Sequence, residues 1–279
     1  MNTKHQDELL QARYGTQPKP KNLIWNAQVE HLLDHRSVRT FLPEPLPEGA
    51  VETMIAAAQS ASASSNLHQW SVVVITDPDR REELMHLAGS KSMNAVSPFI
   101  SEAPAVLLWV ADLSRNARIN EQHGNGLAVY GHLDSFLMAS VDTALAAQNA
   151  AVAAESIGLG VTYLGSLRNH AKEVAALIGI PAYSYVVFGM AVGKPDPERR
   201  SGIRPRPAQS VVLHHNHYDS GETAEWVHGY EDAFREFRTT QGMKPKTWID
   251  SVVYGSSMDY MDGRENLRTT VQERGFELR

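Results

Sequence analysis

The residues most able to do chemistry begin with a short basic cluster, His35-Arg36-Ser37-Val38-Arg39, in a chain whose formal net charge is −6. A guanidinium presents a planar fork of N–H donors that matches a phosphate or a polarised carbonyl edge. Two such groups beside a histidine therefore suggest a site for an anionic cofactor. An isolated basic cluster can equally be a solvated turn after a helix, and the cluster alone does not decide between the two.

Three further segments have residue types that suit the same kind of ligand. Arg204-Pro205-Arg206 holds two guanidiniums apart with a stiff proline. Tyr163-Leu164-Gly165-Ser166 ends a predicted strand in small residues, which let backbone amides approach a planar ligand. A serine-rich turn from Ser62 to Trp70 precedes another predicted strand. Taken singly, each segment also has a purely structural explanation, as a solvated loop, a strand end or a surface turn.

The composition restricts how such a site could work. The chain contains no cysteine, which excludes disulfides, thiolate catalysis, iron–sulfur clusters and cysteine zinc sites. A redox reaction would therefore need an organic cofactor to carry the electrons. The negative net charge argues against binding to nucleic acid or to an anionic membrane. The charged first residues contain no apolar signal core, so we expect a cytoplasmic protein.

Hydrophobic periodicity predicts an α+β domain in which strands alternate only loosely with helices. The predicted strands are 71–76, 103–111, 161–165 and 185–192, and the predicted helices include 47–58, 78–87 and 130–157. The apolar run at 103–111 is typical of a strand buried on both faces. The small residues of the helix at 130–157 would let another helix approach closely. No strand leads into a glycine-rich dinucleotide motif or a phosphate loop, so side chains would have to hold a cofactor.

Other parts of the chain are predicted to be less regular. Residues 1–22 are polar and are predicted to form an N-terminal arm or a short helix. Residues 23–279 are predicted to form one domain with a helical C-terminal extension. Residues 115–126 are expected to be a loop rich in Asn, His and Gly. Residues 210–213 could add a strand to the sheet, and Asn169 could cap the helix that follows it.

Together, in this order and spacing, these segments resemble the nitroreductase family of flavin enzymes. The closer resemblance is to its subgroup of major oxygen-insensitive NADPH nitroreductases and P-type flavin reductases, and it extends over roughly residues 30–275. It rests on HRSVRTF at 35–41, SSNLHQWSVVVITD at 64–77, VDTALAAQNAAVAAESIGLGVTYLGSLRN at 141–169, FGMAVGKP at 188–195, RPRP at 204–207 and TW at 247–248. The run at 141–169 is the most specific, because a helix, strand and turn of that length rarely recur by chance.

The resemblance implies a nitroreductase-like α+β fold, with a central mixed, mostly antiparallel sheet flanked by helices and the long central helix at a dimer interface. It also implies an obligate homodimer that binds FMN non-covalently where the subunits meet. In the family, NADPH or NADH reduces FMN and leaves, and a small-molecule acceptor such as a nitroaromatic, a quinone or a free flavin then takes two electrons. FMN carries the chemistry, so the resemblance implies no catalytic side chain and no metal ion.

Position by position, the resemblance assigns roles to the motif residues. Arg39 would lie near the pyrimidine edge of the flavin, where a fixed positive charge favours reduction. Arg204 and Arg206 would hold the phosphate. The other implied contacts are His35, Arg36 and Ser37 with FMN, Tyr163, Leu164, Gly165 and Ser166 along the ring near its hydride-accepting nitrogen, and Ser64 and Asn66 reaching across between subunits.

Four positions depart from the subgroup pattern. His68 stands where the subgroup commonly has glutamine, so a contact with the acceptor there would be altered. Lys91 lies near an amide-bearing position at the edge of the flavin and is followed by an insertion. Gln241 falls near an arginine that relatives link to the 2′-phosphate of NADPH, which leaves the choice between NADPH and NADH open. Arg264 matches, across a small gap, an arginine that reaches the substrate pocket.

Three functions stay open on the sequence. They are an FMN oxidoreductase for small acceptors, a flavin reductase that supplies reduced FMN to a partner monooxygenase, and an FMN-binding protein without turnover. The segment His214-His215-Asn216-His217 resembles a metal site, but no carboxylate or further histidine is evidently placed to complete it. We therefore expect no metal site there.

Overall fold

The chain folds into two compact units in a computed structural model, which describes residues 3–219 and 224–279. The first unit combines residues 1–37 with 200–260, and the second combines residues 38–199 with 261–279. The helices are α1 (Thr3–Tyr14), α2 (Ala27–Leu33), α3 (Ala50–Gln59), α4 (Pro78–Leu87), α5 (Phe99–Glu102), α6 (Ser114–Gln122), α7 (Leu133–Ser156), α8 (Ala171–Ile178), α9 (Ala224–Thr240), α10 (Trp248–Gly255) and α11 (Leu267–Glu273). The strands are β1 (Trp70–Ile75), β2 (Ala105–Asp112), β3 (Gly160–Leu164) and β4 (Ser184–Gly193).

The second unit is built on a four-stranded sheet in the order β1-β2-β4-β3. Val73 of β1 pairs with Leu108 of β2, which in turn pairs with Gly189 of β4. β2 lies inside the sheet and is buried along its whole length, as its continuous apolar run predicts. The four predicted strands are confirmed. The sheet that the resemblance describes as mostly antiparallel is antiparallel at each pairing in the described residues.

Helices cover both faces of this sheet, because the side chains of β2 alternate between two hydrophobic cores. Leu108 belongs to a core that it shares with Leu84 of α4 and Val174 of α8. Its neighbour Leu107 belongs to the opposite core, together with Met54 of α3 and several alanines of α7. The fold is therefore the α+β arrangement that the resemblance implies.

The long helix α7 has two different faces. Its inner face carries small buried residues such as Ala147, so the helix approaches the sheet and α3 closely. Its outer face carries a row of exposed apolar side chains, each four residues from the next, which we call the α7 stripe: Leu133, Leu137, Val141 and Leu145. Neither α7 nor any other helix in the described part of the chain is long and apolar enough to cross a membrane.

Three predictions for the less regular segments are wrong. Residues 114–122 form helix α6 rather than a loop, because the Asp112 carboxylate accepts the Ser114 N–H at 2.9 Å and Ala117 is buried. Residues 209–211 form a short 3-10 turn without buried side chains and do not extend the sheet. The Asn169 side chain donates to the Gly89 carbonyl at 2.9 Å instead of capping α8.

The first unit is helical in its described residues, and side chains fix the ends of its helices. Of the two possibilities for the N-terminal residues, the short helix is present as α1, which packs beside α2. Glu231 of α9 accepts the N–H groups of Trp248 and Ile249 at 2.9 and 2.7 Å, which fixes the start of α10. The rings of Tyr230 and Trp248 meet edge to face, with centroids 5.3 Å apart.

A largely buried network ties the turn before β1 to the end of β2. The Asp112 carboxylate accepts hydrogen bonds from the hydroxyls of Ser71 and Ser114, each at 2.6 Å, and pairs with Arg115 at 2.9 Å. Arg115 also donates to the His68 carbonyl at 2.7 Å. Burial by itself would raise the pKa of Asp112, but the hydrogen bonds from the two serines and the charge of Arg115 outweigh it, so the pKa is lowered.

The lowered pKa predicts how the stability from this network depends on pH. A carboxylate with a lowered pKa stabilises the fold above its unfolded pKa, about 3.9, and this contribution is lost as the pH falls through the folded-state pKa. Asp112→Asn should therefore lower the free energy of unfolding by about 1–3 kcal/mol near neutral pH, and by progressively less below about pH 4. Urea unfolding followed by circular dichroism measures this difference.

The matched control is Glu121→Gln, which removes a carboxylate from an exposed position of the neighbouring helix α6 and should change stability little. If Asp112→Asn and the wild type differ by the same amount at about pH 7 and about pH 3.5, the ionised Asp112 does not hold the network.

Candidate functional site

The arginine loop, residues 204–206, lies in the first unit and presents two guanidiniums to solvent. Arg204 and Arg206 are both exposed, and neither forms an ion pair with a carboxylate of the described residues. The Arg204 guanidinium lies over the Phe237 ring, 5.7 Å from its centroid. Arg206 donates a hydrogen bond to the Pro205 carbonyl at 3.2 Å. The loop therefore carries two positive charges that no acidic side chain in the described part of the chain neutralises.

Buried side chains hold the backbone of the arginine loop. The Tyr230 hydroxyl donates to the Pro205 carbonyl at 3.2 Å, and Gln17 donates to the Arg206 carbonyl at 2.9 Å. The amide oxygen of Gln17 also accepts the Ala208 N–H at 3.1 Å. Both Tyr230 and Gln17 are buried. Because these bonds are made to the main chain, they fix the loop without occupying its guanidiniums.

Arg13 connects the arginine loop to the end of α2. Its buried guanidinium donates to the carbonyls of Arg204 at 3.0 Å, Leu33 at 2.8 Å and His35 at 2.9 Å. In return, the Arg206 N–H donates to the Arg13 carbonyl at 2.8 Å. The structure thereby brings His35 together with the two arginines that are predicted to bind phosphate.

The two residues after His35 have different surroundings. The Arg36 guanidinium donates to the carboxylate of Asp34 and to its carbonyl oxygen, the latter at 3.2 Å. The Arg36 side chain is only 15% exposed. Ser37 is half-buried. A carboxylate thus neutralises Arg36 in this structure, whereas no carboxylate among the residues that the structure describes pairs with Arg204 or Arg206.

The electrostatics of the arginine loop favour an anion. Loss of hydration and then the charge of Arg206 lower the pKa of Arg204, and the same two causes lower the pKa of Arg13. Guanidiniums stay protonated in proteins, so the lowered pKa values express lost hydration and repulsion among like charges rather than a loss of charge. A bound phosphate would relieve that repulsion.

Arg39 belongs to the second unit, on a segment beside β3. The Val38 N–H donates to the Val161 carbonyl of β3 at 2.9 Å. Val38 and Phe41 are buried, and Arg39 between them is exposed. The structure therefore places the segment that carries Arg39 along the strand that leads into Tyr163.

The predicted strand end is present at the end of β3. Leu164 is buried, whereas Tyr163 is 38% exposed. The Tyr163 hydroxyl donates to Oε1 of Gln148 at 3.2 Å, and its ring meets the Phe188 ring edge to face with centroids 5.2 Å apart. Burial raises the pKa of Tyr163, so the phenol stays protonated and acts as a donor.

Gly165 and Ser166 begin the turn that follows β3. A Cβ atom at position 165 would lie 3.2 Å from Nη2 of Arg168, closer than most Cβ contacts. Arg168 is itself fixed, because it donates to the Val187 carbonyl at 2.8 Å. The turn therefore offers a bare backbone at Gly165 and a half-buried hydroxyl at Ser166.

The serine-rich turn before β1 has an unusual backbone. Ser65, Asn66 and His68 have φ values of 50°, 56° and 49°, in the left-handed region that non-glycine residues rarely adopt. The buried carboxylate of Asp142 accepts the Ser64 N–H at 3.0 Å and the Ser64 hydroxyl at 2.8 Å, which anchors the turn to α7. Such strain persists only where surrounding bonds over-determine it, and it is concentrated at ligand sites.

Lys91 and Arg264 lie on two turns that Asp262 joins. The Asp262 carboxylate accepts the Ser92 N–H at 2.9 Å. Arg264 is half-buried and donates from Nε to the Met261 carbonyl at 2.9 Å, whereas Lys91 is exposed. This bond joins the turn that carries Lys91 to the turn that carries Arg264.

Residues 214–217, which contain three histidines, show no metal-binding geometry with other described residues. Within residues 3–219 and 224–279, no three His, Asp or Glu side chains are grouped so that they could hold a metal ion. The His214 ring instead stacks on the Tyr218 ring, with centroids 4.4 Å apart.

Sequence reasoning missed the residues that position the predicted ones. Arg13 and Gln17 precede every recognised motif, and Arg115 lies in a segment that was predicted to be a loop. Asp142 carried one usable signal, because a carboxylate flanked by small and apolar residues in the middle of a central helix indicates a buried hydrogen-bond partner.

Comparisons with known proteins extend over most of the chain. Residues 32–194 match the model of the nitroreductase family, and residues 204–279 match that of the nitroreductase family C-terminal domain. The FMN reductase (NADPH) of Bacillus subtilis (strain 168) is 30% identical over 256 residues, which cover 90% of this chain and 98% of that protein.

Solved structures agree with these matches. The NfrA1 nitroreductase from B. subtilis superposes with a TM-score of 0.79 at 32% identity and covers 90% of this chain and 99% of its own. The NADPH:FMN oxidoreductase from Vibrio harveyi, complexed with NAD+, has a TM-score of 0.77 at 32% identity and covers 91% of this chain and 100% of its own. From its two family matches and these relatives, the chain belongs to the nitroreductase family.

Proposed function

We propose that this chain is an FMN-dependent NAD(P)H oxidoreductase that reduces small acceptors such as nitroaromatics and quinones in ping-pong, two-electron steps. The arginine loop carries the proposal, because Arg204 and Arg206 offer two guanidiniums that pair with no carboxylate of the described residues, on a backbone that buried side chains fix. A phosphate fits this donor set, since guanidinium forks bind phosphate oxygens in pairs. The relatives named FMN reductase (NADPH) and NADPH:FMN oxidoreductase support the same cofactor and the same electron donor.

FMN, when bound, would supply the hydride chemistry between the nicotinamide and the acceptor. In the proposal, Arg204 and Arg206 bind its phosphate, and His68 and Arg264 contact the acceptor. The other proposed FMN contacts are His35, Arg36, Ser37, Arg39, Lys91, Tyr163, Leu164, Gly165 and Ser166, with Ser64 and Asn66 contributed by a second copy of the chain.

The proposed roles follow from charge and exposure. Arg39 is exposed beside β3, where its guanidinium would stabilise negative charge that develops at the pyrimidine edge on reduction. The Tyr163 phenol keeps its proton and donates a hydrogen bond to Gln148. It therefore does not act as an acid or a base at the end of β3. No side-chain nucleophile is needed, because the residues bind and orient while the flavin carries the electrons.

A flavin reductase is the second candidate function, and the relative named FMN reductase (NADPH) favours it. In that case the acceptor would be free FMN, passed on in reduced form to a monooxygenase. The third possibility is an FMN-binding protein without turnover. A cytoplasmic location stays a prediction for all three.

The three functions separate in one anaerobic experiment on the purified, FMN-loaded protein. We expect the flavin absorption band to bleach when NADPH or NADH is added, and to return when an acceptor is added. A comparison of a nitroaromatic with free FMN as the acceptor, at equal concentration, distinguishes an oxidoreductase for small acceptors from a flavin reductase. Both nicotinamides are needed because Gln241 accepts the Gly202 N–H at 2.7 Å and offers no positive charge to a 2′-phosphate. A protein that holds FMN but bleaches with neither donor is not a reductase.

Removal of one guanidinium from the arginine loop tests the phosphate site. Arg206→Ala should weaken FMN binding by about 10- to 100-fold, because hydrogen bonds to a charged group contribute about 1.5–3 kcal/mol. Fluorescence titration of flavin-free protein with FMN measures the change in dissociation constant. Arg200→Ala removes an equally exposed arginine outside the loop and serves as the control. Equal FMN affinity for the two variants would exclude the loop as the phosphate site.

We include a homodimer in the proposal, with the α7 stripe in its interface. The stripe exposes four large apolar side chains on one helix face, a pattern typical of a surface that meets another protein. Asp142 lies next to Val141 of the stripe and anchors Ser64, so the turn proposed to contribute to the second site borders the proposed interface. The resemblance to the family implies the same assembly.

Charge placed in the stripe should separate the two copies. Leu137→Glu would bury a carboxylate against the stripe of the other copy, which is strongly unfavourable without a partner charge. Analytical ultracentrifugation should then find the 30.8 kDa mass of a single chain, compared with twice that mass for the wild type. Val212→Glu, at a more exposed apolar position of the first unit, should leave the mass unchanged. A wild type that sediments as a single chain would refute the dimer.

A further inference from the structure

The segment before residue 18 lies ahead of the part of the chain that matches the family. The family match begins at residue 32, so α1 and the residues that follow it lie outside the match. The N-terminal segment therefore has to be explained from its own contacts.

Those contacts show a docked segment rather than a loose tail. Leu9, Leu10 and Tyr14 are buried. Gly15 has a φ of 61° and lies so near α9 that a Cβ atom there would come within 2.8 Å of the Ala233 Cβ. Thus the chain turns directly after α1 and passes along α9.

The polar side chains of this segment are directed at the arginine loop. Arg13 and Gln17 are 7% and 6% exposed, and each makes several hydrogen bonds to main-chain groups. Arg13 donates a hydrogen bond to the Arg204 carbonyl. Gln17 donates one to the Arg206 carbonyl and accepts one from the Ala208 N–H. Both ends of the arginine loop are therefore held from one short segment.

Holding a loop with a buried arginine carries a high free-energy cost. A neutral donor could satisfy the same carbonyls, whereas the Arg13 charge is desolvated and repelled by Arg206. Asp34 offsets part of this cost, and an anion bound at the arginine loop would offset more of it, because its negative charge would attract Arg13. A loop held in its binding geometry before the ligand arrives also binds with less loss of conformational entropy.

From this geometry we infer that residues 3–17 form an N-terminal latch that holds the arginine loop in its phosphate-binding conformation, with Arg13 and Gln17 as positioning residues. The inference rests on the proposed function, since it assigns the latch to retention of FMN through its phosphate. It gives a cofactor-binding role to a segment outside the family match.

The test compares FMN with riboflavin, which has the same ring and no phosphate. Flavin-free wild type, Arg13→Met and Gln17→Met are titrated with each flavin, and the quenching of flavin fluorescence is followed. We expect both variants to bind FMN at least about tenfold more weakly than the wild type, with little change in the affinity for riboflavin. Gln17→Met alters no charge, so its effect reports positioning alone.

Two reference variants set the limits of the measurement. Lys4→Met removes an exposed charge from the same helix and should bind both flavins like the wild type. Arg206→Ala removes part of the phosphate site itself and gives the largest expected loss. Circular dichroism confirms that each variant is folded, and if Arg13→Met is not, Gln17→Met decides the outcome.

The outcomes separate the latch from the proposed function. If the wild type binds neither flavin, the proposed function fails. If the wild type binds FMN and both latch variants bind it as tightly as Lys4→Met does, the latch is refuted. Equal weakening towards FMN and riboflavin would also refute it, because a merely structural role affects the whole site.

Discussion

The first unit depends on two like charges held close together by hydrogen bonds to the main chain that carries them. Arg204 and Arg206 repel each other, and no carboxylate of the described residues lies between them to compensate. What keeps them together is the main chain of the loop, which Tyr230, Gln17 and Arg13 bind through its carbonyl and N–H groups. A positive field prepared in this way needs little rearrangement to accept an anion, which is the physical basis of preorganised binding.

In the second unit the main constraint is a different one, because irregular turns have to be held in fixed positions. Its central strand β2 is buried on both faces and gives the sheet a rigid core. Buried carboxylates then attach the turns to that core. Asp112 and Arg115 fix the chain between His68 and β1, and Asp142 fixes Ser64. The left-handed residues of the serine-rich turn persist because both of its ends are tied to regular elements.

The parts of the fold that sequence predicted well are those with local signals. The apolar run of β2 and the alanine-rich α7 reveal their burial through residue type alone, and Asp77-Pro78 marks the start of α4 by capping. Helix α6 was missed because its sequence is polar overall and rich in Asn, and because its start depends on the Asp112 carboxylate.

From the sequence, only the motif residues of the site could be predicted. The arginine loop and the strand end are recognisable in the sequence, but their supports are not. Arg13 meets Arg204 across 191 positions of the chain, and Ser64 meets Asp142 across 78. No short-range pattern encodes such pairs. Arg36 shows a different limit. Its motif predicts a contact with FMN but does not reveal that the Asp34 carboxylate neutralises its guanidinium.

The close approach of Gly15 to Ala233 limits how the N-terminal extension can evolve. A side chain at position 15 would meet the methyl group of residue 233 and would also have to adopt a left-handed backbone. The two positions are thus coupled, although one lies outside the family match and the other inside it. A chain that keeps α1 docked in this way therefore needs a glycine at position 15 and a small residue at position 233.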